Sequence, residues 1–351
     1  MQTLNFTPHP ALVFDVLDQH QQEFHVAVLR ASYRIGDDGT LEPTAEQGPL
    51  CVEDEYWGEM NRSSIRQESD LAPHKPKTDI IVLADAYAPE GEPLRQWQVG
   101  LQIGSHRKIL NVTGPREWRR GLMGGYSLSE PEKIDRLALR YEWAWGGENR
   151  IDAAEPNLPP LLHEACMSNP VGRGFAHEDW LRQNKPEVIA APQIESPDDP
   201  IREFGKAYAA QGFGLITRAW QPRLALAGTY DEAWLEKHWP HLPQDHDFAF
   251  WNSAHPDLQV PYLKGDETVV LAHLTPEGRL QCQLPAMAPL VFVRYADQPA
   301  ESLIPVLDTL IIDTYQREVV CVWRTSFPTQ PEVDHVAIHM ADRRLVPGAA
   351  A

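Results

Sequence analysis

Cysteine is scarce and scattered: Cys51, Cys166, Cys282 and Cys321 stand singly, with no C-x-x-C pair. That argues against a disulfide framework or a zinc knuckle and for four reduced, buried thiols. No apolar run approaches the roughly 18 residues that span a bilayer. The opening MQTLNFTPHP lacks the basic and apolar regions of a secretory signal, so a soluble, cytoplasmic chain is expected. Basic charge is also short: 31 Lys and Arg face 50 Asp and Glu, for a formal net charge of −19. Such a field opposes phosphate backbones and anionic lipid, so no direct nucleic acid and no membrane is expected as partner. It either keeps the protein soluble or speeds encounter with a basic partner.

The usual signatures of chemistry are missing as well. Gly125-Tyr126-Ser127-Leu128-Ser129 has no final glycine for a nucleophile elbow, and no P-loop, dinucleotide fingerprint or H-E-x-x-H occurs. His335 and His339 lie four apart, but Val336, Ile338 and Met340 alternate with them as in a strand, so no metal site is expected. No cofactor is implied. Scattered carboxylates and eleven tryptophans leave a carbohydrate-active hydrolase open as an alternative.

What is present is a globular composition, 42% hydrophobic and 23% charged over 351 residues, enough to bury a core without staples. From Phe24 to Ile35 one face carries Ala27, Leu29, Ala31, Tyr33 and Ile35, while the other turns polar at Arg30, Ser32 and Arg34. That predicts a long strand, half covered late in its run, reversing at Gly36-Asp37-Asp38-Gly39. Trp97, Val99, Leu101 and Ile103 alternate with polar neighbours up to a Gly104-Ser105 turn, and Ile80 to Tyr87 is apolar almost throughout. Toward the C-terminus, Val269 to Leu274, Leu280 to Leu284, Leu290 to Tyr295 and a hairpin about Tyr315-Gln316 repeat the style.

The middle is rich in Pro, Gly and Trp with weak periodicity, which predicts ordered loops with short helices. One helix is expected from Thr229, as cap, to Pro240, and a weaker one over Ala176 to Asn184. The fold class is therefore mainly β: an antiparallel β-sandwich-like scaffold of one or two packed units with a loop-rich middle. The expected divisions are an N-terminal β unit at 1–112, the loop and short-helix region at 113–260, a C-terminal β unit at 261–345 and a flexible tail at 346–351.

Residues 62–79, RSSIRQESDLAPHKPKTD, mix charges of both signs with two prolines. They form either an ordered loop held by internal ion pairs or a polar rim offered to a partner. The tryptophans of the middle likewise fill the core under irregular backbone, line a protein interface or stack on sugar.

The run YWGEMNRSSIRQESDLAPHKPKTDIIV, Tyr56 to Val82, resembles the signature of the family called domain of unknown function 2169. Arg140-Tyr141-Glu142, Gly146-Gly147, Asn169 to Phe175, Gly212-Phe213-Gly214, Trp220 to Arg223, Gly228 to Leu235 and Pro256 to Gln259 resemble its further blocks in order, so the likeness runs from near residue 12 to about 295. The resemblance implies a non-catalytic adaptor or chaperone of bacterial type VI secretion. Its expected partners are an effector toxin or PAAR-like protein and the valine-glycine-repeat spike protein; a structural part of the machine is the other reading. Protein-binding residues are expected among Trp57, Arg66, Glu68, Asp70, Lys75, Trp220, Arg223, Tyr230 and Trp234.

Overall fold

A computed structural model describes residues 1–155 and 158–346. The chain is mainly β, as its alternation predicts. In chain order the long sheets use β1 (Gln2–Asn5), β2 (Ala11–Leu17), β3 (Glu23–Ile35), β4 (Leu41–Pro43), β5 (Thr78–Leu83), β6 (Gln96–Ile103), β7 (His106–Thr113) and β8 (Ile194–Glu195). They continue with β9 (Gln259–Val260), β10 (Thr268–Ala272), β11 (Arg279–Gln283), β12 (Met287–Tyr295), β13 (Glu301–Leu303), β14 (Val306–Asp313), β15 (Glu318–Pro328) and β16 (Val333–Asp342).

A seven-stranded sheet runs β2-β3-β15-β14-β5-β9, with β4 on the far end of β3. A five-stranded sheet runs β8-β7-β6-β10-β11, and a four-stranded one β1-β16-β12-β13. Most neighbours are antiparallel, but β14 lies parallel to β5, with Leu310 opposite Ile80, and β1 parallel to β16. Parallel neighbours need a long connection, and here nearly the whole chain supplies it.

This pairing redraws the expected division. The first and last units share sheets instead of folding apart: β15 lies along β3 from Arg34 to Phe24, and β10 lies along β6. One contiguous apolar core takes Val99 and Leu101 from β6, Leu310 and Ile312 from β14, and Val336 and Ile338 from β16. All four cysteines are buried and unpaired. Of the tail expected from residue 346, only Val346 lies within the described residues.

Two local expectations change. The polar face of β3 is covered at Arg30 and Ser32, buried beneath residues 44–70, and opens only at Arg34. Arg30 meets Asp70 there, and the Ser32 amide donates to the Gln47 side chain at 2.8 Å. The turn after β3 forms as expected, with Gly39 at φ +81°; a Cβ there would stand 2.0 Å from the Gln281 carbonyl, so this bend and β11 fit only with glycine.

The middle holds α1 (Glu178–Asn184) and α2 (Glu232–Lys237) among turns. Asp231 caps α2 by accepting from the Trp234 amide at 2.8 Å, two residues after the expected cap, because the Thr229 hydroxyl is drawn instead to Asp245 at 2.7 Å. A small sheet unforeseen in the sequence pairs Glu117–Arg120 with Tyr126–Leu128 and Val188–Ala190. Its own satellite core is Trp118, Ile189, Ala191, Ile201 and Tyr208. Strands of three or four residues are too short for alternation to show.

Where the middle meets the five-stranded sheet, Lys108 from β7 is buried. Its ammonium donates to Asp257 at 2.7 Å and Gln211 at 3.0 Å and lies 3.2 Å from Nδ1 of His255. Nε2 of His255 faces the Ala210 carbonyl at 3.2 Å, so a neutral ring donates there and accepts on Nδ1. Burial, reinforced by the Lys108 charge, lowers the His255 pKa to about 4. A depressed histidine contributes stability above its unfolded value near 6.5 that is lost as pH falls toward 4, by up to about 3 kcal/mol. Urea unfolding across pH 7 to 4 should therefore show a steeper decline for the wild type than for His255→Gln; parallel curves would contradict the assignment.

Candidate functional site

The segment whose role the sequence left open, residues 62–79, is threaded through the protein on buried ion pairs. Glu68 receives both terminal nitrogens of Arg223, at 2.9 and 3.1 Å. Asp70 receives Arg30 at 3.0 Å and the Cys51 amide at 2.8 Å. Lys75 donates to Asp79 and to the Thr309 hydroxyl, both at 2.9 Å. Asp79, wholly buried, also accepts the amides of Ser253 at 2.9 Å and Ala254 at 3.1 Å. Arg324, held by Asp308 at 2.6 Å, donates to the carbonyls of Asp70 and Ala72 at 2.7 Å. Of the two readings, the internal ion-paired loop is the one observed.

This arrangement decides where the expected binding residues stand. Glu68, Asp70, Lys75, Trp220 and Arg223 are buried, so their side chains belong to the internal frame and not to an outer surface. The Trp220 ring meets Tyr141 edge-on at 5.9 Å. Trp57 is half-buried, with the Arg140 guanidinium 4.1 Å from its ring centroid and Arg66 at 5.7 Å on a looser approach. Arg66, a third exposed, pairs with Glu55 at 2.9 Å and Asp313 at 3.4 Å. Only Tyr230 among the nine is exposed, with Trp234 half-buried beside it.

Two adjoining depressions of about 340 and 480 Å³ open outside the frame and share Asp54, Tyr56 and Arg218. Arg218 lies 3.4 Å from Asp54 and 3.0 Å from Glu68, and its guanidinium is 5.5 Å from the Trp251 ring centroid. Its charge is already matched, so the cleft offers shape and apolar surface, with Met60 exposed on the rim.

A group of exposed large apolar side chains stands elsewhere in the middle, on the excursion from 224 to 247. Its neck is closed by the Asp247 amide on the Leu226 carbonyl at 3.0 Å and by Thr229 on Asp245. Within it Trp234 turns inward, donating through Nε1 to the His241 carbonyl at 2.9 Å and meeting Tyr230 edge-on at 4.7 Å. Successive helix positions face different directions, so Leu235 is left pointing outward. Leu224, Tyr230, Leu235 and Trp239 are 40, 54, 60 and 65% exposed. Around them lie Asp231, Glu232, Glu236, Asp245 and Asp247 against the single Lys237. Leu235 and Trp239 are not among the binding residues expected from sequence. The signal available was the shortness of a capped helix carrying Trp234-Leu235, which cannot bury both.

The family model described as "Uncharacterized protein conserved in bacteria (DUF2169)" matches residues 20–324. The chain belongs to this family. No curated protein and no solved structure matches it. The DUF2169 span runs past residue 295, where the resemblance faded, and takes in β14 and most of β15, the strands that hold Asp308, Thr309 and Arg324. Other blocks that carried the resemblance brace one another. Gly146, at φ +149°, leaves room for the Asn169 carbonyl 2.1 Å from where a Cβ would be, and Asn169 donates to the carbonyls of Tyr141 and Trp145 at 2.8 and 3.0 Å.

Removing one partner of a buried pair leaves an uncompensated charge and costs about 3–5 kcal/mol, whereas replacing both with apolar groups is often neutral. Arg223→Met leaves Glu68 only the partly exposed Arg218 and strips the Ile216 and Phe250 carbonyls of their donor, so it should lower stability by about 3 kcal/mol in urea unfolding, and adding Glu68→Leu should restore only part of it. Additive losses would show that the two side chains do not act as a pair.

Proposed function

We propose that this protein is a non-catalytic adaptor that grips another protein through the 224–247 excursion, working in the bacterial cytoplasm to stabilise a type VI secretion effector and load it onto the spike. The carrying observation is the group Leu224, Tyr230, Leu235 and Trp239, large apolar side chains left exposed on an ordered, acid-rich excursion. Aromatic residues in such a setting are the commonest anchors of protein interfaces. An acidic surround favours a partner face that is apolar at its centre and basic at its rim. The resemblance of the family blocks to secretion adaptors supports an effector toxin or its PAAR-like domain as that partner, with the valine-glycine-repeat spike protein as the assembly it is delivered to. Among the described residues no helix is long and apolar enough to cross a membrane.

Co-expression with the effector encoded beside it, followed by affinity capture and size-exclusion chromatography, should yield a complex. Tyr230→Ser, Leu235→Ser and Trp239→Ser together should weaken it by roughly 100-fold or more, about 2–3 kcal/mol, with the melting temperature held near wild type. Affinity should also fall with added salt as the acidic surround is screened. A complex untouched by the triple substitution would remove the excursion from the interface; no complex at all would remove the adaptor role.

A further inference from the structure

We propose that the outer edge of β2 accepts an extended, basic segment of a partner protein as an additional strand of the seven-stranded sheet. The register says which backbone groups are open. At one end of β2 the Arg30 amide donates to the Pro10 carbonyl at 3.0 Å, and beyond the other the Asp18 amide donates to the Gln22 carbonyl at 3.1 Å. Bonded pairs recur at every second residue of an antiparallel ladder. Leu12, Phe14 and Val16 therefore bond to β3, and Ala11, Val13, Asp15 and Leu17 turn their N–H and C=O groups outward. Among the described residues no hydrogen bond reaches those outward groups.

The other sheet edges are blunted and this one is not. β9 and β8 have 2 residues each, β13 has 3, β1 has 4, and the 5 residues of β11 alternate polar with apolar against the Gly39 bend. β2 has 7 residues, ALVFDVL, apolar except for Asp15, with no Pro, Gly or Lys and no bulge in its pairing with β3. A long apolar edge whose one charge is Asp15 is a template for strand addition by a segment that matches that charge.

Charge selects the occupant. Residues 11–25 hold Asp15, Asp18 and Glu23 and no Lys or Arg, and the Asp15 carboxylate is 75% exposed, 2.6 Å from Nδ1 of His25. A second copy would bring the same acids and another −19. An apolar strand bearing Lys or Arg opposite Asp15 satisfies both the backbone and the charge. β2 lies before residue 20, outside the span matched by the family model, and is distinct from the 224–247 excursion, so either surface can fail without the other.

The test is selection of a displayed library of random short peptides on the full-length protein. Peptides that alternate apolar residues with Lys or Arg should enrich, and hydrogen exchange should show them protecting the amides of Ala11, Val13, Asp15 and Leu17. Asp15→Pro deletes one outward N–H while sparing the ladder to β3, so it should bind these peptides roughly tenfold or more weakly. Asp15→Asn, which keeps the N–H, should lose only part of that and become less sensitive to salt. Three outcomes would overturn the proposal: no enriched peptides, enriched peptides that protect another region, or wild-type dimers dissolved by Asp15→Pro, which would give the edge to a second copy.

Discussion

An ionised side chain inside a protein is tolerable only when a partner of opposite charge or a set of donors meets it, and residues 62–79 place four such side chains inside. Each is met from a different direction. Arg223 reaches Glu68 from the loop layer, Arg30 reaches Asp70 from β3, and Thr309 of β14 and the amides of Ser253 and Ala254 converge on Lys75 and Asp79. Satisfying all of them at once permits only a narrow range of arrangements of sheet, segment and loop layer. The irregular middle is thereby held to the sheets by directional contacts, where a purely apolar contact would let it slide.

The same constraint explains how an irregular surface can be a dependable one. The excursion from 224 to 247 grows directly out of Arg223, whose guanidinium also ties the Ile216 and Phe250 carbonyls at 2.6 and 2.7 Å, so its two ends are fixed to the frame. Preorganised apolar groups lose little freedom on binding and so return more of their burial as affinity. Mixed burial of the tryptophans follows: Trp220 fills the frame, Trp234 props the excursion, and Trp239 is displayed.

Much of the sheet architecture was legible because long strands announce themselves. The alternation of Trp97 to Ile103, the apolar run at Ile80 and the turns at Gly36-Gly39 and Gly104-Ser105 all correspond to observed elements. The parallel pairing of β5 with β14 was not legible, since strands so distant in sequence carry no local mark of their partner. Nor was the burial of Arg30, Glu68, Asp70 and Lys75: a charged residue reads as surface until its counter-charge is located, and those of Arg30, Glu68 and Asp70 lie far away in the chain, while Lys75 meets Asp79 four residues on only because both are buried together. Of the candidate site, Tyr230, Trp234 and Leu235 lie in the family block Gly228 to Leu235, but the exposure of Leu235 and Trp239 required knowing where α2 is capped.

The most direct measurement is native-state hydrogen exchange at the amides of Cys51, Ser253 and Ala254, which donate to Asp70 and Asp79. If the buried charges lock segment, sheets and loop layer into one unit, these amides exchange only through global unfolding, with the same free energy as β5 and β15. Exchange through a low-energy local opening, while the strands stay protected, would contradict the account.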